Sequence, residues 1–257
     1  MEGIMRTLIG KNKGGYIDEE KNLIYMGKET IQIPFNISIR SGDIIKIRGN
    51  EYLISDGIPY DFGSAGIRGA QIINSKDSAA IVSASGIRSG AIVLESGIGS
   101  GALSVQISSV IGEKGIIVGI DRDKSTEAIV RKNMELFNTK AQLEFHNIDI
   151  NEFDFTSEQR KFDAVFLDLP DPWLCLKNVV SSLKMGGRII TYLPNFDQVE
   201  NTVLEMEKNG LYVIETFELI KRNLLVRKDA TRPDSEGIMH TAFITMAVKK
   251  TMQQIIV

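Results

Sequence analysis

The sequence predicts an α/β protein in which a doubly wound, largely parallel sheet follows a small all-β segment. Three observations carry this expectation. From about residue 71 onward, short apolar runs alternate with stretches of helical spacing, the pattern of repeated strand–helix units. Before residue 60 no useful length has helical spacing, and β-rich runs are punctuated by Gly, Asn and Asp. Between the two, the apolar run 91–94 leads into Glu95 and then glycines at 97, 99 and 101. That is the form of a buried strand, a tight turn and a helix start.

Taken in order, residues 1–60 hold the runs Leu23-Ile24-Tyr25, Ile31-Gln32-Ile33, Ile44-Ile45-Lys46-Ile47 and Glu51-Tyr52-Leu53-Ile54. They read as a small β-barrel-like domain, the last two runs forming a hairpin. The glycine-rich stretch that follows supplies a linker over 61–70. The second domain, 71–257, opens with a helix whose start is Ser75-Lys76-Asp77. Strand one ends at Glu95, and Leu103, Val105, Ile107, Val110 and Ile111 mark the helix after the glycines. Strand two, 115–120, ends at Asp121, and a helix over 124–138 follows. Strand three, 142–146, is closed by Asn147-Ile148-Asp149, and strand four, 162–167, by Asp168. A helix over 174–183 stops at Gly186-Gly187, and strand five covers 188–193. Val199, Val203 and Met206 have helical spacing, and strands over 211–218 and 241–249 finish the chain, with one antiparallel strand expected at the edge.

Composition sets bounds. With 257 residues, 43% of them hydrophobic, the chain can build one large or two modest cores. The single cysteine, Cys175, excludes disulfide frameworks and cysteine-rich metal sites. His146 and His240 lie too far apart to make a metal-ligand spacing, so no metal is expected. No long apolar region follows Met1, and the most apolar stretch, 79–94, is broken by Arg88 and two glycines. A cytoplasmic protein without a membrane span is therefore expected. The net charge of −3 means that any nucleic-acid surface must be local.

The ligand of the glycine turn follows from its neighbours. Gly99 and Gly101 are too close for a dinucleotide fingerprint, and the turn lacks the Gly-Lys-Ser/Thr ending of a phosphate loop. Glu95 would repel a pyrophosphate but tolerate a cation. S-adenosyl-L-methionine carries an ammonium and a sulfonium and no phosphate. Asp121, ending the second strand, suits the two ribose hydroxyls of an adenosine. Asp149 suits the adenine amino group, though an acid there equally caps a following turn. Glu95, Gly97, Gly99, Ser100, Gly101, Asp121, Asp149 and Asp168 are thus the expected cofactor-binding residues. The fold expected is a Rossmann-like class I methyltransferase sheet, with acids closing its first four strands.

Asp168-Leu-Pro-Asp-Pro-Trp173 has the look of the Asn/Asp-Pro-Pro-aromatic segment of amino-directed DNA methyltransferases, lengthened and with acids at 168 and 171. The other reading is a proline-stiffened turn with Trp173 in the core. Together with Glu95-Ser-Gly-Ile-Gly-Ser-Gly101, Ser75-Lys76-Asp77, Tyr192-Leu-Pro194 with Gln198-Val199, and His240-Thr241, it resembles the TrmI family of tRNA (adenine-N1)-methyltransferases acting on the T-loop. The resemblance implies that Asp168 accepts a hydrogen bond from the amino group of a flipped adenine while N1 attacks the methyl group. It implies a base-pocket role for Tyr192 and substrate contacts at Lys76, Trp173, Arg232 and His240. Bacterial relatives often carry Tyr-Pro before Lys-Asp, where this chain has Asn74-Ser75.

The partner implied is tRNA. Lys221, Arg222, Arg227, Lys228 and Arg232 cluster against the one acid Asp229, Lys11 and Lys13 flank glycines, and Lys46 and Arg48 share a strand. The resemblance also implies a homotetramer. The alternatives are a protein-L-isoaspartate methyltransferase, which shares the cofactor fold, and a non-catalytic tRNA-binding subunit.

Overall fold

The computed structural model describes residues 5–251 apart from 11–12, 35–36, 236 and 238. The first six strands are β1 (Met5–Ile9), β2 (Gly14–Asp18), β3 (Leu23–Met26), β4 (Glu29–Gln32), β5 (Ile44–Ile47) and β6 (Asn50–Ser55). They form one antiparallel sheet in the order β4-β3-β2-β1-β6-β5. β5 and β6 are the expected hairpin. Alternating residues bury a small core of Leu8, Ile17, Ile24, Ile33, Tyr52 and Ile54. β4 and β5 stand at the two margins, so the sheet is open rather than a closed barrel.

The stretch read as a linker is partly built. A 3-10 turn (Pro59–Asp61) runs into α1 (Phe62–Ala65), and Phe62, 1% exposed, stacks on Phe137 at 5.4 Å. Glycine content suggested an open connection; the phenyl ring and Ala65 anchor it in the core of the larger sheet.

That sheet holds β7 (Ile92–Ser96), β8 (Ile116–Asp121), β9 (Gln142–Asn147), β10 (Phe162–Leu167), β11 (Leu183–Leu193), β12 (Leu211–Phe217) and β15 (Phe243–Lys249). Its order is β12-β15-β11-β10-β7-β8-β9, and β13 (Leu224–Leu225) pairs with β14 (Arg232–Pro233) in a separate small hairpin. Successive strand residues point into opposite layers. Val93, Ile117, Phe166 and Ile190 enter one core with α2 (Ser75–Ser85), α3 (Ala102–Ile111) and α4 (Ser125–Leu136). Leu94, Val118, Val165 and Ile189 enter the other with α5 (Leu176–Ser182) and α6 (Phe196–Lys208). Helices on both faces explain why these strands read as continuous apolar runs.

Three expectations need correction. β15 is antiparallel to both β11 and β12, so the reversed strand is second from the margin and β12 is the edge. The helix expected over 174–183 divides into a 3-10 turn (Pro172–Leu174) and α5, because Leu183 is already extended. Gly186-Gly187 therefore lie inside β11, beside an irregular register with β10, and do not end a helix. Asp149 lies two residues beyond the end of β9 rather than closing it.

Candidate active site

The chain leaves β7 for β8 and β9 on one side, then returns to place β10 and β11 on the other. The direction of strand addition thus reverses between β7 and β10, and a crevice opens outside the carboxyl ends of these strands. The Asp168 N–H donates to the Ser96 carbonyl at 3.0 Å, tying the two strand ends together. A cleft of about 290 Å³ lies there, lined by Gly97, Asp121, Asp149, Asp168, Asp171 and neighbouring apolar groups.

The glycine turn shapes one wall. Gly97 has φ +81°, and a Cβ on it would lie 2.0 Å from the Asp168 carbonyl oxygen, so only glycine permits this approach. The Gly99 N–H donates to Asp121 Oδ2 at 3.0 Å, while Asp121 Oδ1 accepts from the Asp123 N–H. Gly101 caps α3 and packs on Val130. Ser100 Oγ accepts from the N–H groups of Gly69 and Ala70 and donates to the Ala70 carbonyl, so it braces the 67–70 segment against the turn.

Glu95 lies beneath the cleft. It is 2% exposed, accepts a hydrogen bond from Ser104 Oγ at 2.7 Å, and does not line the cavity. Burial, with added repulsion from Asp168 and Asp121, pushes its carboxyl up to about 8 against the side-chain and backbone bonds from Ser104. Asp168 is pushed up to about 7, first by burial and then by Asp121. Among the described residues, no hydrogen bond reaches the Asp168 carboxylate. Asp149 Oδ1 accepts from the Asn151 backbone and side-chain N–H groups, and its Oδ2 lies 3.6 Å from Arg122. It therefore closes a turn and also lines the cleft.

A second group stands on the other side of Asp168. The register that pairs Leu167 with Thr191 brings Tyr192 beside Asp168. The Tyr192 hydroxyl donates to Asp77 Oδ2 at 3.0 Å, and Thr241 Oγ1 donates to the same oxygen at 2.8 Å. Lys76 Nζ donates to Asp77 Oδ1 at 2.6 Å and to Thr241 Oγ1 at 2.8 Å. Asp77 is fully buried, so three donors offset its lost hydration. Burial and the Asp77 charge raise the Tyr192 phenol. Asn74 caps α2 by accepting from the Lys76 N–H, which gives that polar residue a structural task. His240 Nδ1 lies 2.8 Å from Glu218 Oε2 and Nε2 lies 3.0 Å from the Pro194 carbonyl.

Of the residues expected to bind cofactor, Gly97, Asp121, Asp149 and Asp168 line the cleft, while Glu95, Gly99, Ser100 and Gly101 lie under or behind it. Lys76, Tyr192 and His240 gather at the adjoining strand ends. Trp173 is half-buried against the α5 side of the sheet, although Leu174 beside it lines the cleft. Arg232 is exposed on β14, its guanidinium on its own neighbour's carbonyl. Lys46 and Arg48 already pair with Glu51 and Glu29, and Lys11 lies outside the described residues.

Sequence reasoning missed Asn133. It is fully buried; its Nδ2 donates to the Ile67 and Ser100 carbonyls and its Oδ1 accepts from the Ile67 N–H, each at 2.8 Å. It thereby fixes the glycine turn to the incoming segment. The available signal was an amide on the same helical stripe as Val130 and Met134.

Comparison with known proteins gives a consistent result. A family model described as the tRNA methyltransferase complex GCD14 subunit matches residues 67–252. The tRNA (adenine(57)-N(1)/adenine(58)-N(1))-methyltransferase TrmI of Methanocaldococcus jannaschii is 30% identical over 223 residues, spanning 78% of this chain and 79% of the relative. Among solved structures, the Aquifex aeolicus tRNA methyltransferase TrmI superimposes with a TM-score of 0.76 at 25% identity, covering 98% of each chain. A Thermotoga maritima SAM-dependent O-methyltransferase gives a TM-score of 0.82, covering 99% of this chain and 96% of that one. At 23% identity it speaks to the fold alone.

Proposed function

The chain belongs to the family of tRNA methyltransferases that includes GCD14 and TrmI, and on that footing we propose that it methylates N1 of an adenine in the T-loop of tRNA. It is an S-adenosyl-L-methionine-dependent enzyme. The observation that carries the finer reading is the Asp168 carboxylate, open to the cleft at the strand-order reversal, beside Tyr192 and without a hydrogen bond among the described residues.

The donor set fits this cofactor. Four carboxylates line the cleft and a fifth lies beneath it, which suits a cation and disfavours a phosphate. When bound, S-adenosyl-L-methionine supplies an electrophilic methyl group on a sulfonium. Gly97 lets the backbone approach it, and Asp121 and Asp149 would hold its adenosine. Asp168 accepts from the exocyclic amino group of the target adenine, which enriches N1 and stabilises the positive charge the ring gains. Tyr192, held by Asp77, forms a wall of the base pocket, with Lys76 and His240 beside it. Orientation of the two reactants supplies much of the acceleration.

The basic segment between Lys221 and Arg232 is assigned to tRNA phosphates, and Trp173 to support of the loop that carries Asp168. A homotetramer in the cytoplasm is part of the same proposal. So is the division into a β domain (1–60), a connection (61–70) and a methyltransferase domain (71–257). No helix among the described residues is long and apolar enough to cross a membrane. Neither the isoaspartate nor the non-catalytic alternative gains support, since the relatives reported are tRNA methyltransferases.

The deciding experiment incubates the protein with labelled cofactor and an unmodified tRNA transcript, then maps product by nucleoside mass spectrometry and reverse-transcription stops. N1-methyladenine in the T-loop is expected. Label appearing in protein substrates and not in tRNA would overturn the proposal.

A further inference from the structure

The cleft lacks an aromatic lining residue among the described residues. Tyr192, at its margin, is engaged by Asp77. Yet three rings stand in a row just outside it. Phe196, the first residue of α6, is 76% exposed, and its ring lies 4.7 Å from that of Phe243. The Phe243 ring lies 4.7 Å from His240. Two contacts place this row next to the reaction centre. Gln198, in the same turn of α6, donates to the carbonyl of Pro170, a cleft-lining residue, at 2.9 Å. His240 bonds the carbonyl of Pro194, two residues after Tyr192.

The inner end of the row is held in place. Glu218 and the Pro194 carbonyl engage the two ring nitrogens of His240, and both contacts raise the imidazole above its ordinary value. Glu218 and Lys76 are the charged groups that face it. The result is a braced row of tilted rings whose inner end carries the imidazole.

We propose that Phe196, Phe243 and His240 form a binding site for an unstacked base of single-stranded RNA, the nucleotide adjoining the adenine that enters the cleft. The inference rests on the tRNA reading above. Extruding one base leaves its neighbours without a stacking partner, and aromatic faces are the usual replacement because every base has a π-face. A lone exposed phenylalanine would need no explanation. A ring supported by two others, beside a cleft without rings of its own, presents a fixed face to a planar ligand.

The test compares wild type with Phe196→Ala, Phe196→Leu and Phe196→Trp in the full chain. Phe196 is exposed, so folding should survive each change, which thermal melts verify. KM for tRNA should rise on the order of tenfold in the Ala and Leu variants, as for loss of one stacked base. It should return in Trp, with cofactor affinity by calorimetry unchanged throughout. A tRNA with 2-aminopurine next to the target adenine should lose fluorescence on binding wild type and not Phe196→Leu. Unchanged KM and quenching in Ala and Leu overturn the site. So does Leu matching Trp, which would mean simple apolar contact, or a fall in assembly mass by light scattering, which would assign the face to a second copy. Quenching without methyl transfer would leave the site standing and overturn the reaction instead.

Discussion

Replacing Gly97 by alanine should slow methyl transfer by displacing Asp168. The added Cβ would stand 2.0 Å from the Asp168 carbonyl oxygen and 2.8 Å from its carbon. Real Cβ atoms essentially never approach closer than 3.0 Å, so the two strands must part by about 1 Å. The atom in the way is backbone, and no side-chain rotation relieves it. Asp168 then leaves the position from which it can meet the adenine amino group. A misplacement of about 1 Å costs on the order of 100-fold in rate, or about 2.7 kcal/mol of transition-state stabilisation. The positive φ of +81° adds about 1–2 kcal/mol of strain to the folded state. Gly99→Ala is the control. Its φ is also positive, at +55°, but its Cβ would meet the Ala70 methyl at 3.6 Å and the Gln71 carbonyl oxygen at 3.7 Å, both ordinary contacts. It should lose stability without a comparable loss of rate. Single-turnover methylation of saturating tRNA, with thermal melts of both variants, separates strain from displacement. A Gly97→Ala rate within threefold of wild type, or equal loss in Gly99→Ala, would refute the coupling.

The remaining predictions concern charge. Because Asp168 is pushed up to about 7, it is largely protonated below that pH, and a cation binds its ionised form better. Cofactor affinity should therefore climb as pH rises from 6 to 8, with proton release seen in calorimetry across buffers of different ionisation enthalpy; Asp168→Asn should flatten the climb while retaining binding. Asp77→Ala strands the Lys76 ammonium and the Tyr192 hydroxyl, and should lower stability by about 3–5 kcal/mol in chemical denaturation. Asp77→Asn removes the negative charge that holds the Tyr192 phenol up, so the tyrosine absorbance titration should move toward ordinary values, a change checked against Tyr192→Phe. His240 is raised by its bond to Glu218 and then by the Pro194 carbonyl. Its stabilising contribution is complete below about 6.5, the unfolded value, and is lost as pH rises through the higher folded value. The difference in melting temperature between wild type and His240→Gln should accordingly shrink from pH 6 to pH 9.

How much of this was legible follows from what a sequence encodes. The glycine turn and the acids at 95, 121 and 168 were readable because local backbone need and strand-end position share one short stretch. The reversed strand was legible only in its direction, not in its place. Nothing in the spacing of 241–249 reports that β15 inserts antiparallel between β11 and β12, and the intervening hairpin of β13 and β14 is too short to register. The split of α5 from its 3-10 turn was hidden because apolar residues on both sides of the break preserve helical spacing. Burial was only half legible. Glu95 reads as a residue that touches a ligand, but its place one residue before the end of β7 turns it under the sheet's edge to Ser104. Asn133 and Ser100 act through backbone groups more than 30 residues away in sequence, a pairing that periodicity alone does not reveal.

The buried acids also explain why the site suits a cation. A folded protein usually neutralises an interior carboxylate with a donor or an opposite charge, as Asp77 shows with Lys76, Tyr192 and Thr241. Glu95 has only Ser104, through its hydroxyl and backbone N–H, and Asp168 has no such bond among the described residues. Both folded values lie above the unfolded ones, so the two groups favour folding at low pH and oppose it as pH rises through about 7 and 8. Near neutral pH the two acids thus weigh against the fold, and a bound cation relieves the opposition. Thermal stabilisation by saturating cofactor should consequently grow between pH 6 and pH 8, even though the protein alone loses stability over the same range. S-adenosylhomocysteine, which lacks the sulfonium charge, should show a shallower rise than S-adenosylmethionine. Equal pH slopes for the two ligands would mean that the acids respond to occupancy and not to charge.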